Sequence, residues 1–417
     1  GCRAAGGRAW SPCGPRSRCL PRREASSFHT PFRDCFSIAD GVSVIIDLST
    51  GTPVVLHWGS DLGSAIDAKS LLSAMQEGVP HADLDAFQNP GIWRENSRGY
   101  LGRPAVQGHR DGQDWSQMFD ITEVSAGENT LFVRSADLAA GLEVTANFEL
   151  GASGILKISQ TIKNLGTTSF SLGELTTWLP IPDYVSETVD FTGRWVKERQ
   201  PQRREIQVGT WAREIREGRS GHDYTIVQLA MTKDADYQRG EVFSLGLQWS
   251  GNTRHLVERQ PTGRTTMGAG ELLLPGEVIL AAGEIYEAPT VVASYSGEGV
   301  DGITDRHYRW LRSRPTHPSN VRPRPLTLNV WEAVYFNHNL EKLEQLADVA
   351  QEIGVERFVL DDGWFGSRRD DHSGLGDWVV SKDVWPNGLK PLIDVVKSRG
   401  MEFGLWFEGE MVNPDSD

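Results

Sequence analysis

At 417 residues the chain is too long for one ordinary domain, and 39% hydrophobic with 24% charged residues describes a folded protein with enough apolar side chains for large cores. A formal net charge of −14 removes the basic field that a phosphate backbone requires, so nucleic acid is not an expected partner. No run of about 18 apolar residues occurs, so no spanning helix and no membrane partner are expected.

Residues 1–34 differ from everything after them. They hold seven Arg and no Lys, with Gly, Pro and Cys scattered and no hydrophobic period of either kind. This composition predicts a disordered or non-native leader. All four cysteines (Cys2, Cys13, Cys19 and Cys35) lie in the first 35 residues. Their spacing matches no zinc pattern, so no metal is expected. The long cysteine-free remainder fits a reducing compartment, which makes the expected location cytoplasmic.

From 41 to about 296 the signals are those of strands. Residues 142–150 (LEVTANFEL) alternate apolar and polar at every step, the pattern of a strand with one wet face. Residues 155–165 and 169–179 follow after Gly- and Asn-containing breaks. Closely spaced strands of this kind predict an antiparallel β-sandwich over 36–296. Residues 297–325 change character: Tyr308, Trp310 and Leu311 suggest a short helix, and Pro315, Pro318, Pro323 and Pro325 then read as a linker.

After the linker the pattern becomes β/α. A strand is expected at 326–331. A helix capped by Asn339 follows, with Leu343, Leu346, Ala347, Ala350 and Ile353 on one stripe and Gly354 at its end. Residues 358–362 form a second strand, 391–399 a second helix, and 403–408 a third strand. Gly354-Val355-Glu356 and Gly400-Met401-Glu402 fall at equivalent places, so the unit repeats. Repeated βα units build either a doubly wound sheet or a (β/α)8 barrel. The connection 363–388 exceeds the usual length of about 2–6 residues, which marks it as functional.

In a barrel the strand ends would bring Trp331-Glu332, Asp361-Asp362 and Trp406 with Glu408 to one mouth. Carboxylates accept hydrogen bonds from hydroxyls, and tryptophan covers the C–H face of a sugar ring. A neutral polyhydroxylated ligand therefore fits. The alternative is that Asp361 and Asp362 cap the following loop or pair with Arg368 or Arg369. Adjacent residues on one strand point to opposite faces, which argues against this pair as acid and nucleophile of a glycosidase.

The runs NVWEAVYF (329–336), FVLDDGWFGSRRDD (358–371) with GLGDW (374–378), and FGLWFEGEMVNPDSD (403–417) resemble the microbial α-galactosidases of glycoside hydrolase family 36. Arg98-Gly99-Tyr100 through Pro104-Ala105, Gly193-Arg194-Trp195, residues 214–220 and Trp249-Ser250-Gly251-Asn252 are similar to that family's N-terminal β-sandwich. The resemblance spans about 36–417. It implies a multidomain β plus α/β chain: a β-sandwich at 36–296, then the first three βα units of a (β/α)8 TIM barrel at 326–417. It also implies a retaining α-galactosidase without cofactor, acting on melibiose- or raffinose-type α-galactoside oligosaccharides, and a possible tetramer. Asp361 and Asp362 match the pair that binds the galactose C4 and C6 hydroxyls, and Trp331 and Trp406 match tryptophans walling that subsite. The family's nucleophile and acid/base aspartates belong to later strands, so the expectation is an inactive fragment truncated inside the barrel. One departure is Gly409, where the family usually has proline. The alternatives carried forward are a non-catalytic carbohydrate-binding protein, an α-N-acetylgalactosaminidase and a galactosyl-transferring enzyme.

Overall fold

The structure is a computed structural model that describes residues 35–63, 66, 68–75, 90–224 and 227–416. The segment 1–34, expected to be a leader, lies outside the described residues.

Up to Ser296 the described chain is dominated by antiparallel strands. The expected alternation is realised at Leu142–Leu150 and Leu156–Asn164, where every second residue is buried and the two strands pair along their whole length. They sit in a ten-stranded sheet whose other members include Thr130–Asp137, Val242–Leu247 and Val291–Ser296. The run expected at 169–179 is two strands instead, Phe170–Leu175 and Thr177–Ile181. Between them the Thr176 N–H donates to the Ala105 carbonyl at 2.9 Å, and the two strands join different sheets. The second of these sheets has four strands, among them Thr253–Arg259 and Thr265–Glu271. One continuous core joins the sheets: Val144, Ile158 and Leu245 of the large sheet pack in the same cluster as Leu179, Val257 and Met267 of the smaller one.

Two polar features interrupt this apolar interior. Arg94 is fully buried, 3.4 Å above the Trp178 ring, and donates to Glu258 (2.8 Å), to Thr266 Oγ1 (2.6 Å) and to the Arg103 carbonyl (3.0 Å). Glu258 also accepts from the Arg103 N–H and from Thr210, so the buried charge has partners on several sides. This network fixes the 94–104 segment to the four-stranded sheet. His255, in the same sheet, is completely buried, edge-on to Tyr224, and neither ring nitrogen has a hydrogen-bond partner among the described residues.

The segment expected to hold a short helix contains the fifteen-residue helix Gly299–Ser313. Its Arg306 and Arg309 both donate to Asp40, at 2.7 and 2.8 Å, which ties the helix to the first strands of the chain.

Residues 327–416 hold a three-stranded parallel sheet, Thr327–Asn329, Arg357–Leu360 and Glu402–Leu405, in sequential order. Helix Leu340–Glu352 begins where Asn339 Oδ1 accepts from the Lys342 N–H at 3.0 Å. Gly354 ends it with φ 82°, a conformation that favours glycine. Leu343, Ala347 and Ala350 of this helix pack with Leu392 and Val396 of helix Lys390–Ser398 and with Phe358 and Leu360 of the central strand. Ile353, expected on the buried stripe, is 69% exposed because it lies at the helix end. At the amino-terminal edge, Glu402 accepts from Arg357 at 2.6 and 2.9 Å and from Arg322 at 3.1 Å. Hydrogen bonds from Arg322, and then from Arg357, hold its carboxyl down at about 2.

Burial pushes the His255 imidazole down to about 3, whereas an unfolded His ionises near 6.5. The native state then binds fewer protons than the unfolded state below that range, so stability is present above about 6.5 and falls as the pH drops towards the folded value. Denaturant titrations should show up to about 1.4 kcal/mol lost per pH unit between roughly 6 and 4 from this group. His255→Phe should remove that part of the slope; an unchanged slope in the variant would exclude His255 as its source.

Candidate carbohydrate-binding site

Parallel pairing places the carboxyl ends of the three strands side by side. Asn329 stands opposite Val359, and Leu360 opposite Leu405, so the residues just beyond each strand emerge at one edge. Here lie all four residues singled out as ligand-binding, Trp331, Asp361, Asp362 and Trp406.

The first strand is shorter than the expected 326–331. Asn329 Oδ1 accepts the Trp331 N–H at 2.8 Å, turning the chain out of the sheet and into the single helical turn Trp331–Val334. Trp331 therefore sits on that turn rather than on a strand, with its ring edge-on to Tyr335 and Phe336 at 5.1 Å. The second and third strands also stop early, at Leu360 and Leu405, so Asp361 and Trp406 follow the strands directly. The Trp406 N–H still reaches the Leu360 carbonyl at 3.0 Å, so its backbone continues the parallel ladder by one bond. Its ring lies at 21° to Phe365, with centroids 6.5 Å apart, and edge-on to Trp378.

The two carboxylates are both buried, at 7% and 5% exposure, but are held differently. Asp361 accepts from the side-chain amide of Asn329 on the neighbouring strand and from the Asp362 N–H at 2.7 Å. Asp362 is gripped by Arg368, whose Nη2 lies 2.8 Å and whose Nε lies 3.1 Å from its oxygens. The pairing with Arg368 weighed from the sequence is thus present for Asp362. Arg369 is committed elsewhere, to the Gly366 carbonyl at 3.1 Å and to Ser381 Oγ.

The long connection after Asp362 is folded onto this edge. Trp364 Nε1 donates to the Trp406 carbonyl at 3.0 Å, and Phe365 and Leu375 are buried with it in the core. Gly363 adopts φ 102°, and a Cβ there would stand 3.1 Å from Phe336 Cδ1 and 3.3 Å from Phe336 Cα. Glu408 is half-buried, whereas Glu332 is exposed and bonds the Tyr335 hydroxyl at 2.8 Å. Gly409 has no positive φ, and a Cβ on it would meet nothing within 4 Å, so this bend does not depend on glycine's freedom.

Two participants escaped the sequence reading. Asn329 supports both Asp361 and the Trp331 turn; its only signal was a polar residue closing an apolar strand. His338 is packed against Trp385 and close to the Asp362 backbone, and burial pushes its imidazole down to about 4, leaving it neutral. Nothing in its local sequence distinguished it. Among the described residues, no group of three or more metal-ligating side chains is assembled. The arrangement offers hydroxyl acceptors beside aromatic faces.

Comparison with known proteins places these features. Residues 51–281 match the model of the glycosyl hydrolase family 36 N-terminal domain, and residues 285–417 match the Melibiase model. The chain is 38% identical over 365 residues to an alpha-galactosidase of Escherichia coli, covering 87% of this chain and 51% of that protein. It is 35% identical over 293 residues to alpha-galactosidase AgaA of Geobacillus stearothermophilus, covering 69% and 40%. Among solved structures, GH36 alpha-galactosidase AgaB of G. stearothermophilus superposes with a TM-score of 0.81 at 28% identity, over 92% of this chain and 57% of that one. A variant of AgaA in complex with raffinose gives 0.80 at 27% identity with the same coverage. The chain spans about half, or less, of the length of these curated relatives.

Replacing Gly363 with Ala would force a Cβ against Phe336 in a left-handed conformation, so Gly363→Ala should cost about 1–3 kcal/mol. Chemical denaturation of the two forms measures this; a variant of wild-type stability would show that the turn relaxes freely.

Proposed function

We propose, because the chain belongs to glycosyl hydrolase family 36, that the whole protein is a retaining α-galactosidase acting on raffinose- and melibiose-type oligosaccharides. The observation that carries the reading is the pair Asp361-Asp362 at the end of the central parallel strand, with Trp331 and Trp406 just beyond the ends of the flanking strands. Relatives named alpha-galactosidases, and solved complexes of one of them with raffinose and stachyose, support the substrate class. In α-galactose the C4 hydroxyl is axial, so a fixed acceptor at that position favours galactose over glucose. We assign Asp361 and Asp362 to the C4 and C6 hydroxyls, and Trp331 and Trp406 to the walls of the subsite.

The fold reading that accompanies this is a β-sandwich over 36–296 followed by the opening of a (β/α)8 barrel. Strand order is compatible with the barrel. Three consecutive parallel strands lie in sequential order, and the helices Leu340–Glu352 and Lys390–Ser398 pack against each other on one side of the sheet. One βαβαβ half of a doubly wound sheet has the same order, so the choice of the barrel rests on the family match over 285–417. No described helix is long and apolar enough to cross a membrane. The confinement of cysteine to the first 35 residues supports a reducing, cytoplasmic setting.

Hydrolysis with retention needs a nucleophile and an acid/base about 5–5.5 Å apart on opposite sides of the scissile bond. Asp361 and Asp362 belong to one strand end and are engaged by Asn329 and Arg368, so they serve as binding groups. We assign neither catalytic role to a residue of these 417. The chain on its own should accordingly release no p-nitrophenol from p-nitrophenyl α-D-galactopyranoside, and measurable turnover would overturn that assignment.

In the protein expressed from its complete reading frame, Asp361→Asn removes the charge that strengthens a hydroxyl hydrogen bond, an effect of about 1.5–3 kcal/mol. kcat/KM on α-galactosides should fall at least roughly tenfold with the melting temperature little changed. Asp362→Asn should lose activity and stability together, since it leaves the Arg368 guanidinium buried without its counter-charge. Wild-type kinetics in Asp361→Asn would refute the sugar-binding role. Sugar binding without hydrolysis in the wild-type protein would favour a carbohydrate-binding protein instead.

A further inference from the structure

The two strand-end carboxylates receive unequal support. Asp361 takes hydrogen bonds from an amide side chain and a backbone N–H, both neutral. Asp362 takes all its side-chain support from one cation that is itself locked. Arg368 is 4% exposed, and its guanidinium lies 5.5 Å from the Phe336 ring centre. Its Nη1 donates to the Ser373 carbonyl at 2.9 Å, while Nε and Nη2 are spent on Asp362. Its own N–H donates to the Phe365 carbonyl at 3.2 Å. Gly374 packs close to the Arg368 backbone: a Cβ there would stand 2.9 Å from the Arg368 main-chain nitrogen. The guanidinium is therefore held at both ends and over one face.

A carboxylate has roughly four lone-pair directions, and a bidentate guanidinium occupies those on one edge. The remaining directions are fixed in space once that edge is fixed. Arg368 occupies one edge of the Asp362 carboxylate. It thereby limits the directions from which Asp362 can accept a further hydrogen bond, and it belongs to the long 363–388 connection. Resting on the assignment of Asp362 to a galactose hydroxyl, we propose that Arg368 is a positioning residue for recognition of that hydroxyl, acting through Asp362 rather than on the sugar.

The test uses the protein expressed from its complete reading frame and three substrates, p-nitrophenyl α-D-galactopyranoside and its 4-deoxy and 6-deoxy analogues. Asp362→Asn identifies the hydroxyl that Asp362 binds, because the variant loses activity on the parent sugar but little on the analogue lacking that hydroxyl. Arg368→Met should reproduce this selectivity pattern: at least roughly a tenfold fall in kcat/KM on the parent galactoside and little change on that one analogue. Combined with Asp362→Asn it should add almost nothing, since both changes remove one interaction. Arg368→Lys keeps a cation without the fork and should fall between wild type and Arg368→Met. If Arg368→Met does not fold, Arg368→Lys carries the same comparison. Equal losses on all three substrates, or losses that multiply with those of Asp362→Asn, would reduce Arg368 to a structural role and overturn the proposal. If Asp362→Asn itself shows no selectivity between the substrates, the sugar-binding assignment of Asp362 fails, and the proposal with it.

Discussion

Parallel pairing of three short strands is the constraint on which the site depends. Each strand contributes only three or four residues to the ladder, yet the register fixes where each one ends. Because parallel strands run in one direction, every carboxyl end falls on the same edge, and whatever follows each strand is delivered there. Asp361 and Trp406 follow their strands directly, and Trp331 is two residues past its own. Burial of Phe358 and Leu360 on one face fixes the register, and at the opposite edge Arg357 and Arg322 both donate to Glu402.

Burial then sets the character of that edge. Two carboxylates at 5–7% exposure must be paired or hydrogen-bonded, since an unsatisfied charge in such a place is costly. The chain meets this demand with an amide from the neighbouring strand and a guanidinium from the following loop. Polar satisfaction thus links the first strand, the end of the second strand and the loop that follows it. The same rule operates in the β region, where Arg94 and Glu258 lie buried together and tie a loop to a sheet. His255 is the exception among these groups: it is buried without a partner among the described residues and therefore stays uncharged.

The aromatic side chains divide between packing and presentation. Trp364 and Phe365 are fully buried and support the edge from below, whereas Trp331 and Trp406 are half-buried and retain open surface. That difference is what a sugar subsite requires, because a platform must be rigid on one side and accessible on the other. Trp364 joins the two roles. Its indole N–H holds the Trp406 carbonyl, so a core residue fixes the backbone of a half-buried one.

The sequence alone determined the elements whose signals are local. Strict alternation located Leu142–Leu150, Asn339 and Gly354 bracketed their helix, and an apolar run ending in Asp361-Asp362 marked a parallel strand. Those signals are legible because side-chain period, capping and the conformational freedom of glycine act within a few residues. What followed from contacts across the chain was not legible. The break at Thr176 arises because its N–H pairs with Ala105, seventy-one residues away. Trp331 leaves its strand because the Asn329 side chain bends the backbone, and the same side chain supports Asp361 only once a second strand lies beside it. For Asp362 the sequence left two readings open, a sugar-binding group or a partner of Arg368. The tertiary structure supplied the pairing, because only the folded loop brings Arg368 back to the strand end it left six residues earlier.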